Sequence, residues 1–122
     1  MRAYPIALPI LLATTSSLAA GPVPSKVGQC FTTKIATIGT QLSGIADSGD
    51  QVTFANGVLQ VSYSKIAHLN QARVGDAVKL CLVSVPDDCP KGDDRGKVYR
   101  VTDLRIRKSW SAPNAEHMCG GA

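Results

Sequence analysis

The stretch Gln51-Val52-Thr53-Phe54-Ala55-Asn56-Gly57-Val58-Leu59-Gln60-Val61-Ser62-Tyr63 holds an Asn-Gly pair between two alternating runs. Asn and Gly both tolerate positive φ, which a two-residue type I′ turn demands at its central positions, so the stretch reads as a β-hairpin. With that turn, Ala55 faces Val58, Phe54 faces Leu59 and Val52 faces Val61. One side then carries Val52, Phe54, Leu59, Val61 and Tyr63, all apolar or aromatic. The other carries Gln51, Thr53, Ala55, Val58, Gln60 and Ser62, mostly polar. This is the pattern of a half-buried antiparallel pair.

Upstream, a period of two starts at Cys30, with Phe31, Thr33, Ile35 and Thr37 on one side. Ile38-Gly39 reads as a bend and residues 40–50 as a polar loop. Downstream, Ser64 is placed to cap a short helix from Lys65 to Gln71, with Ile66 and Leu69 inward. Arg73-Val74-Gly75-Asp76 turns the chain into a strand over 77–85. Val78, Leu80 and Leu82 share one face of that strand. Cys81, Val83 and Val85 share the other, which needs a cover of its own. Residues 86–96 form a long polar loop, residues 97–104 resume a strand, and the sequence through Trp110 adds a return strand. The tail, 111–122, contains Cys119.

The resulting order, with a helix between the third and fourth of five strands, resembles the OB-fold, a partly open Greek-key barrel. The fold class is therefore all-β with one short helix, a small five- to six-stranded OB-like barrel, with an SH3-like barrel as the alternative. Closure suits so small a β-domain because it removes unpaired strand edges.

The first residues set the compartment. Arg2, an apolar run from Ile6 to Ala13 broken by Pro9, and a small-residue end (Ser17, Leu18, Ala19, Ala20) form a secretory signal over 1–20, cleaved after Ala19 or Ala20. The run is too short to span a bilayer, which takes about 20 residues. Residues 21–28 read as a flexible lead-in and 29–122 as one domain. Cleavage deletes Arg2 and no acid, so the net charge of +4 becomes +3, a mild bias towards anionic surfaces.

All four cysteines, Cys30, Cys81, Cys89 and Cys119, lie beyond the signal. An even count in an exported chain implies two disulfides, with three connectivities open. Cys30 and Cys81 both point outward, so either can meet the tail. Metal ligation is the weaker reading, since no C-x-x-C pair exists. The segments Cys89-Pro-Lys-Gly-Asp-Asp-Arg-Gly96 and Glu116-His-Met-Cys-Gly-Gly-Ala122 resemble those of small exported bacterial proteins without assigned function, a resemblance that implies export and no chemistry.

The residue pattern touches on several chemistries. Asp87, Asp88, Asp93 and Asp94 offer oxygens for calcium, but their spacing misses the EF-hand pattern and Lys91 and Arg95 offset half their charge. Arg95, Lys97, Arg100, Arg105, Arg107 and Lys108 point to nucleic acid or a polyanionic sugar. Single-strand binding also needs exposed aromatic rings, however, and only Tyr99 and Trp110 are free of the expected core. A solvated basic edge strand is preferred. No G-x-S-x-G stretch exists, the thiols are expected to be bridged, and His68, His117 and Glu116 form no catalytic set.

The chain thus reads as a periplasmic or secreted monomer that binds without turnover: no enzyme, no cofactor, no metal, and no transmembrane segment after processing. Its partner is an envelope or extracellular ligand, a glycan, peptide or small molecule. By analogy with OB-like barrels the contact set is Gln51, Thr53, Gln60, Ser62, Arg95 and Lys97. The rival is a protein-interaction or inhibitor domain acting through the 86–96 loop.

Overall fold

A computed structural model describes residues 2–7, 9–10 and 21–120. The signal-peptidase site at Ser17–Ala20 lies outside the described residues. Six strands follow in chain order: β1 (Cys30–Thr40), β2 (Asp50–Phe54), β3 (Leu59–Ser62), β4 (Ala77–Ser84), β5 (Val98–Asp103) and β6 (Lys108–Pro113). All neighbours are antiparallel, in the spatial order β3-β2-β1-β4-β5-β6.

β1 is shared between two halves. Its first residues, Cys30 to Lys34, pair with β4, and its later ones, Ile35 to Thr40, pair with β2. A bulge between Ile35 and Thr37 bends the strand there, earlier than the expected bend at Ile38-Gly39. The sheet therefore curls into a half-barrel in the OB-like order, with β6 added beyond β5. Among the described residues no helix is long and apolar enough to cross a membrane.

The helix expected over 65–71 shrinks to a single 3-10 turn, Leu69–Gln71. Ser64 caps nothing; its hydroxyl bonds that of Ser62 instead. The Asp50 carboxylate takes the Ile66 N–H at 2.7 Å, and His68 sits at φ 65°, a left-handed geometry that no α-helix continues through. Ile66 and Leu69 are nonetheless buried, as expected.

The hairpin exists, but its turn differs by one residue. The Phe54 N–H donates to Val58 O and the Gly57 N–H to Phe54 O, both at 2.9 Å, with Gly57 at φ 91°. That is a three-residue loop, Ala55-Asn56-Gly57, with glycine at the left-handed bulge position. The register becomes Val52↔Gln60 and Thr53↔Leu59. A one-residue slip exchanges the two faces of a strand. Gln60 is consequently fully buried beside Val52, Val58 joins the core, Leu59 is half-buried on the other face, and Tyr63 is 59 % exposed.

The core is built from Ile35, Val52, Phe54, Val58, Val78, Leu80, Leu82, Tyr99, Val101, Trp110 and Ala112, with Ile66 and Leu69 closing one side. Gln60 bridges the gap between β3 and β6 from inside it. Its amide group donates to Tyr99 O (2.8 Å) and Ala112 O (3.2 Å), and its carbonyl accepts the Trp110 indole N–H at 2.9 Å. Every polar atom of the carboxamide is thereby satisfied in a dry interior.

Both disulfides form, Cys30–Cys81 and Cys89–Cys119. The first joins directly opposed residues of β1 and β4, so neither of these cysteines meets the tail. The second ties the tail to the 86–96 loop. By the chain-entropy account, bridges closing 51 and 30 residues each stabilise by roughly 4 kcal/mol. Bridges of this kind form and persist chiefly in oxidising compartments. The tail does not cover the outer face of β4, where Val83 and Val85 each remain 44 % exposed. Residues 21–29 are tied at both ends: Asn56 donates to Pro22 O, the Gly28 N–H to Leu82 O, and Pro24 between them is buried.

Candidate functional site

The six expected contact residues do not form one surface. Gln60 is part of the core. The Thr53 hydroxyl is hydrogen-bonded to that of Thr37, and the Ser62 hydroxyl to that of Ser64. Gln51 lines an open cavity, while Arg95 and Lys97 stand on the loop before β5. Arg95 is engaged there by Asp93 through two contacts of 2.9 and 2.8 Å, and Asp93 also accepts the Gly120 N–H. Those bonds hold the Asp93 carboxyl well below the usual carboxylate range, the Arg95 guanidinium being the main cause. Asp93 is thus committed to Arg95 and Gly120, and among the described residues no three acidic, histidine or cysteine side chains gather around a common point.

Two further expectations change. β5 is paired on both sides, by β4 and β6, so its basic residues do not blunt an edge. Tyr99 and Trp110, the two candidates for base stacking, are each only 4 % exposed and face the core.

The cavities gather elsewhere, around the 41–49 loop and the 63–70 segment. Three openings of about 330, 370 and 340 Å³ share lining residues: Thr40 joins the first to the second, Asp50 and Lys65 the first to the third, Ile38 the second to the third. They form one continuous rim. The local sequence explains it. The 41–49 loop folds on itself through Ser48, whose hydroxyl accepts the Leu42 N–H (3.0 Å) and donates to Ile45 O (2.7 Å). It then turns at Gly49, φ 105°, into β2.

Gly49 admits no side chain. A Cβ there would lie 1.8 Å from Ser62 O. Gly49→Ala is expected to cost about 2–3 kcal/mol through backbone strain and to push the loop off β3. A urea titration measures the cost; a shift under 0.5 kcal/mol, typical of an indifferent surface change, would show that the loop does not pack as described.

Tyr63 stands at this rim. Its hydroxyl donates towards Glu116 Oε2 at 3.5 Å and lies 3.4 Å from His117 Nε2, with the two rings 6.3 Å apart and tilted by 59°. The tail carrying Glu116 and His117 is held by Cys89–Cys119, by the Cys119 N–H to Arg95 O, and by Asn114, which accepts the Gly96 N–H and donates to Asp94 O. An aromatic plate, a carboxylate and an imidazole are thereby presented together next to Asp47, Asp50 and Lys65. These groups suit hydrogen bonding to hydroxyls with stacking on one ring face.

Glu116 and His117 are neighbours in the sequence, whereas the hairpin alternation places Tyr63 with the core. The missing signal was the loop length of the hairpin, which decides the side Tyr63 takes. No protein family, curated protein or solved structure matches the chain.

Proposed function

We propose that the protein is an exported binding module, periplasmic or secreted, that holds a small polyhydroxylated ligand such as a sugar unit at the rim around Tyr63 without turning it over. The observation that carries this reading is the exposed Tyr63, which lines the first of the three confluent cavities with Asp50 and Lys65 and meets Glu116 and His117 at its hydroxyl. Sites for small ligands combine such an apolar plate with a few fixed polar groups. Export is supported by the leader pattern of residues 1–20 and by the two disulfides. Binding without catalysis is supported by exposure: Tyr63, Glu116 and His117 all face solvent, where nothing desolvates an acid–base pair.

The test is a titration of the oxidised protein with neutral and amino sugars, followed by amide chemical shifts. Shifts should cluster on 40–50, 63–70 and 116–117. Tyr63→Ala should weaken binding at least about tenfold, equivalent to about 1.4 kcal/mol, while leaving stability within about 0.5 kcal/mol. Absence of any shift at the rim overturns the reading.

A second reading, a protein-interaction or inhibitor domain acting through residues 86–96, is favoured by the bracing of that loop. A pre-organised loop loses little entropy on binding. Partner recovery from envelope extract, undiminished when the exposed loop residues Asp87, Asp88, Lys91 and Asp94 are all changed to serine, counts against it.

A further inference from the structure

We infer that the outer face of β1, β4 and β5 is a second binding surface, independent of the rim, for a linear polysaccharide carrying carboxylates. The inward positions of these strands are fixed by burial: Ile35, Val78, Leu80, Leu82, Tyr99 and Val101 fill the core. Alternation along each strand then turns Lys34, Lys79 and Arg100 outward, and all three are exposed.

Register places them on one line. Lys34 lies opposite Ala77, Lys79 opposite Thr32 and Thr102, and Arg100 opposite Cys81 and Ser111. Each cation is thus one strand over and two residues along from the last. With strands about 4.8 Å apart and a rise of about 3.3 Å per residue, their backbone positions recur at about 8 Å. Among the described residues none of the three enters an ion pair. The outward positions of β1, β4, β5 and β6 from Cys30 to Lys34, Ala77 to Val83, Val98 to Thr102 and Ser109 to Pro113 hold no Asp or Glu.

The surroundings select the occupant. Thr32 and Thr102 set hydroxyls on either side of Lys79, Ser111 sets one beside Arg100, and Ser109 is hydrogen-bonded to Thr102; the Cys30–Cys81 bridge stiffens the sheet beneath them. Widely spaced positive charges with hydroxyls between them match a chain whose carboxylates are separated by neutral, hydroxyl-bearing sugar rings. They match a nucleic acid poorly. Phosphates recur at about 3.4 Å per strand in the duplex, more densely than these cations. Single strands require aromatic platforms, and none points outward here, Tyr99 and Trp110 being buried. Because β5 is internal, edge protection does not account for Arg100 either.

The experiment uses the oxidised protein with hyaluronan as probe, a linear chain in which carboxylate-bearing rings alternate with neutral ones, and neutral dextran and a single-stranded oligonucleotide as comparisons, by calorimetry over a range of salt. Lys34→Glu/Lys79→Glu/Arg100→Glu should lower affinity for hyaluronan at least tenfold and flatten its salt dependence. The charge-matched control Lys26→Glu/Arg73→Glu/Lys91→Glu should change affinity less than threefold. Tyr63→Ala should leave hyaluronan binding intact, so that loss of the rim reading and loss of this one are separable. Equal losses in the two triple variants, tighter binding of the oligonucleotide, or no binding of hyaluronan by the unaltered protein would each overturn the inference.

Discussion

Gln60→Ala will destabilise the barrel by about 3–4 kcal/mol, a large share of what a domain this small possesses. The size follows from what the carboxamide touches. Leu82 donates its N–H to Gln29 O and accepts the Gly28 N–H, just ahead of β1. Alternation in an antiparallel ladder then turns those of the neighbouring Tyr99 to Ala112 in β6. The two carbonyls that Gln60 reaches therefore keep a ladder partner when it is removed. The Trp110 indole N–H does not. It is left buried and unpaired, at about 1–3 kcal/mol, and the vacated volume adds a cavity cost. Gln60→Leu fills the space and should cost less, about 1–2 kcal/mol, from the unpaired indole alone. Combining it with Trp110→Phe should recover part of the loss, because removing both partners of a buried bond leaves nothing unsatisfied. Urea denaturation of the unaltered chain, Gln60→Leu, Trp110→Phe and the double variant closes the cycle. Losses of the two single variants that simply add in the double would show that the hydrogen bond contributes nothing.

Gln60 also marks where the sequence stopped being legible. The alternation of Val52 and Phe54 is unambiguous, and both are core. In β3 the pattern points the wrong way: Leu59, Val61 and Tyr63 form an apolar set, and Gln60 and Ser62 a polar one. Either an Asn-Gly turn or a three-residue Ala-Asn-Gly loop fits the residues, and the choice between them reverses the face each side chain takes. The structure resolves it through a contact at a sequence distance of 50, the Trp110 indole to the Gln60 carbonyl. No local window contains both. Val61 stays 4 % exposed even on the side away from the main cluster, so both sets of β3 find burial.

The β4 pattern, by contrast, was decisive because Val78, Leu80 and Leu82 alternate with residues that bear a disulfide and a charge; those three are at most 1 % exposed. The fold class followed from such strands and from the position of the 3-10 turn. The candidate site did not. The convergence of Tyr63, Glu116 and His117 depends on Cys119 pairing with Cys89 and not with the outward cysteines of the sheet, and spacing alone cannot rank connectivities.

Asp103→Asn will stabilise the protein at neutral pH by about 1–2 kcal/mol and remove a decline in stability that the unaltered chain shows as pH rises. Asp103 is completely buried at the end of β5. Its Oδ1 accepts the Arg105 and Ile106 N–H groups (2.9 and 3.3 Å), whereas Oδ2 is enclosed without a donor. Asp76 stands beside it, bonded to the Arg105 side chain at 2.8 Å and to the Arg73 N–H. Burial, reinforced by the hydrogen bond to Asp76, raises the Asp103 carboxyl above the ordinary value of 3.8. The Arg105 side chain first, and then Asp103, lower Asp76 to about 2. Of the two neighbouring carboxyls, Asp103 is therefore the one that holds its proton to higher pH.

The signs then differ for the two groups. Asp76 contributes stability above its unfolded value, lost as pH falls from about 4 towards 2. Asp103 contributes stability below its unfolded value, lost as pH rises through its elevated folded value. Stability should therefore peak in mild acid. Asparagine at 103 keeps the oxygen that holds the turn and supplies a permanent N–H to Asp76. In denaturation followed from about pH 4 upward, the difference between the two proteins should widen as pH rises. Asp76→Asn should act oppositely, since it removes the carboxylate that Arg105 grips. Parallel pH profiles for Asp103→Asn and the unaltered chain would mean that Asp103 is ionised throughout, and that its enclosed oxygen is met by a donor other than its own proton.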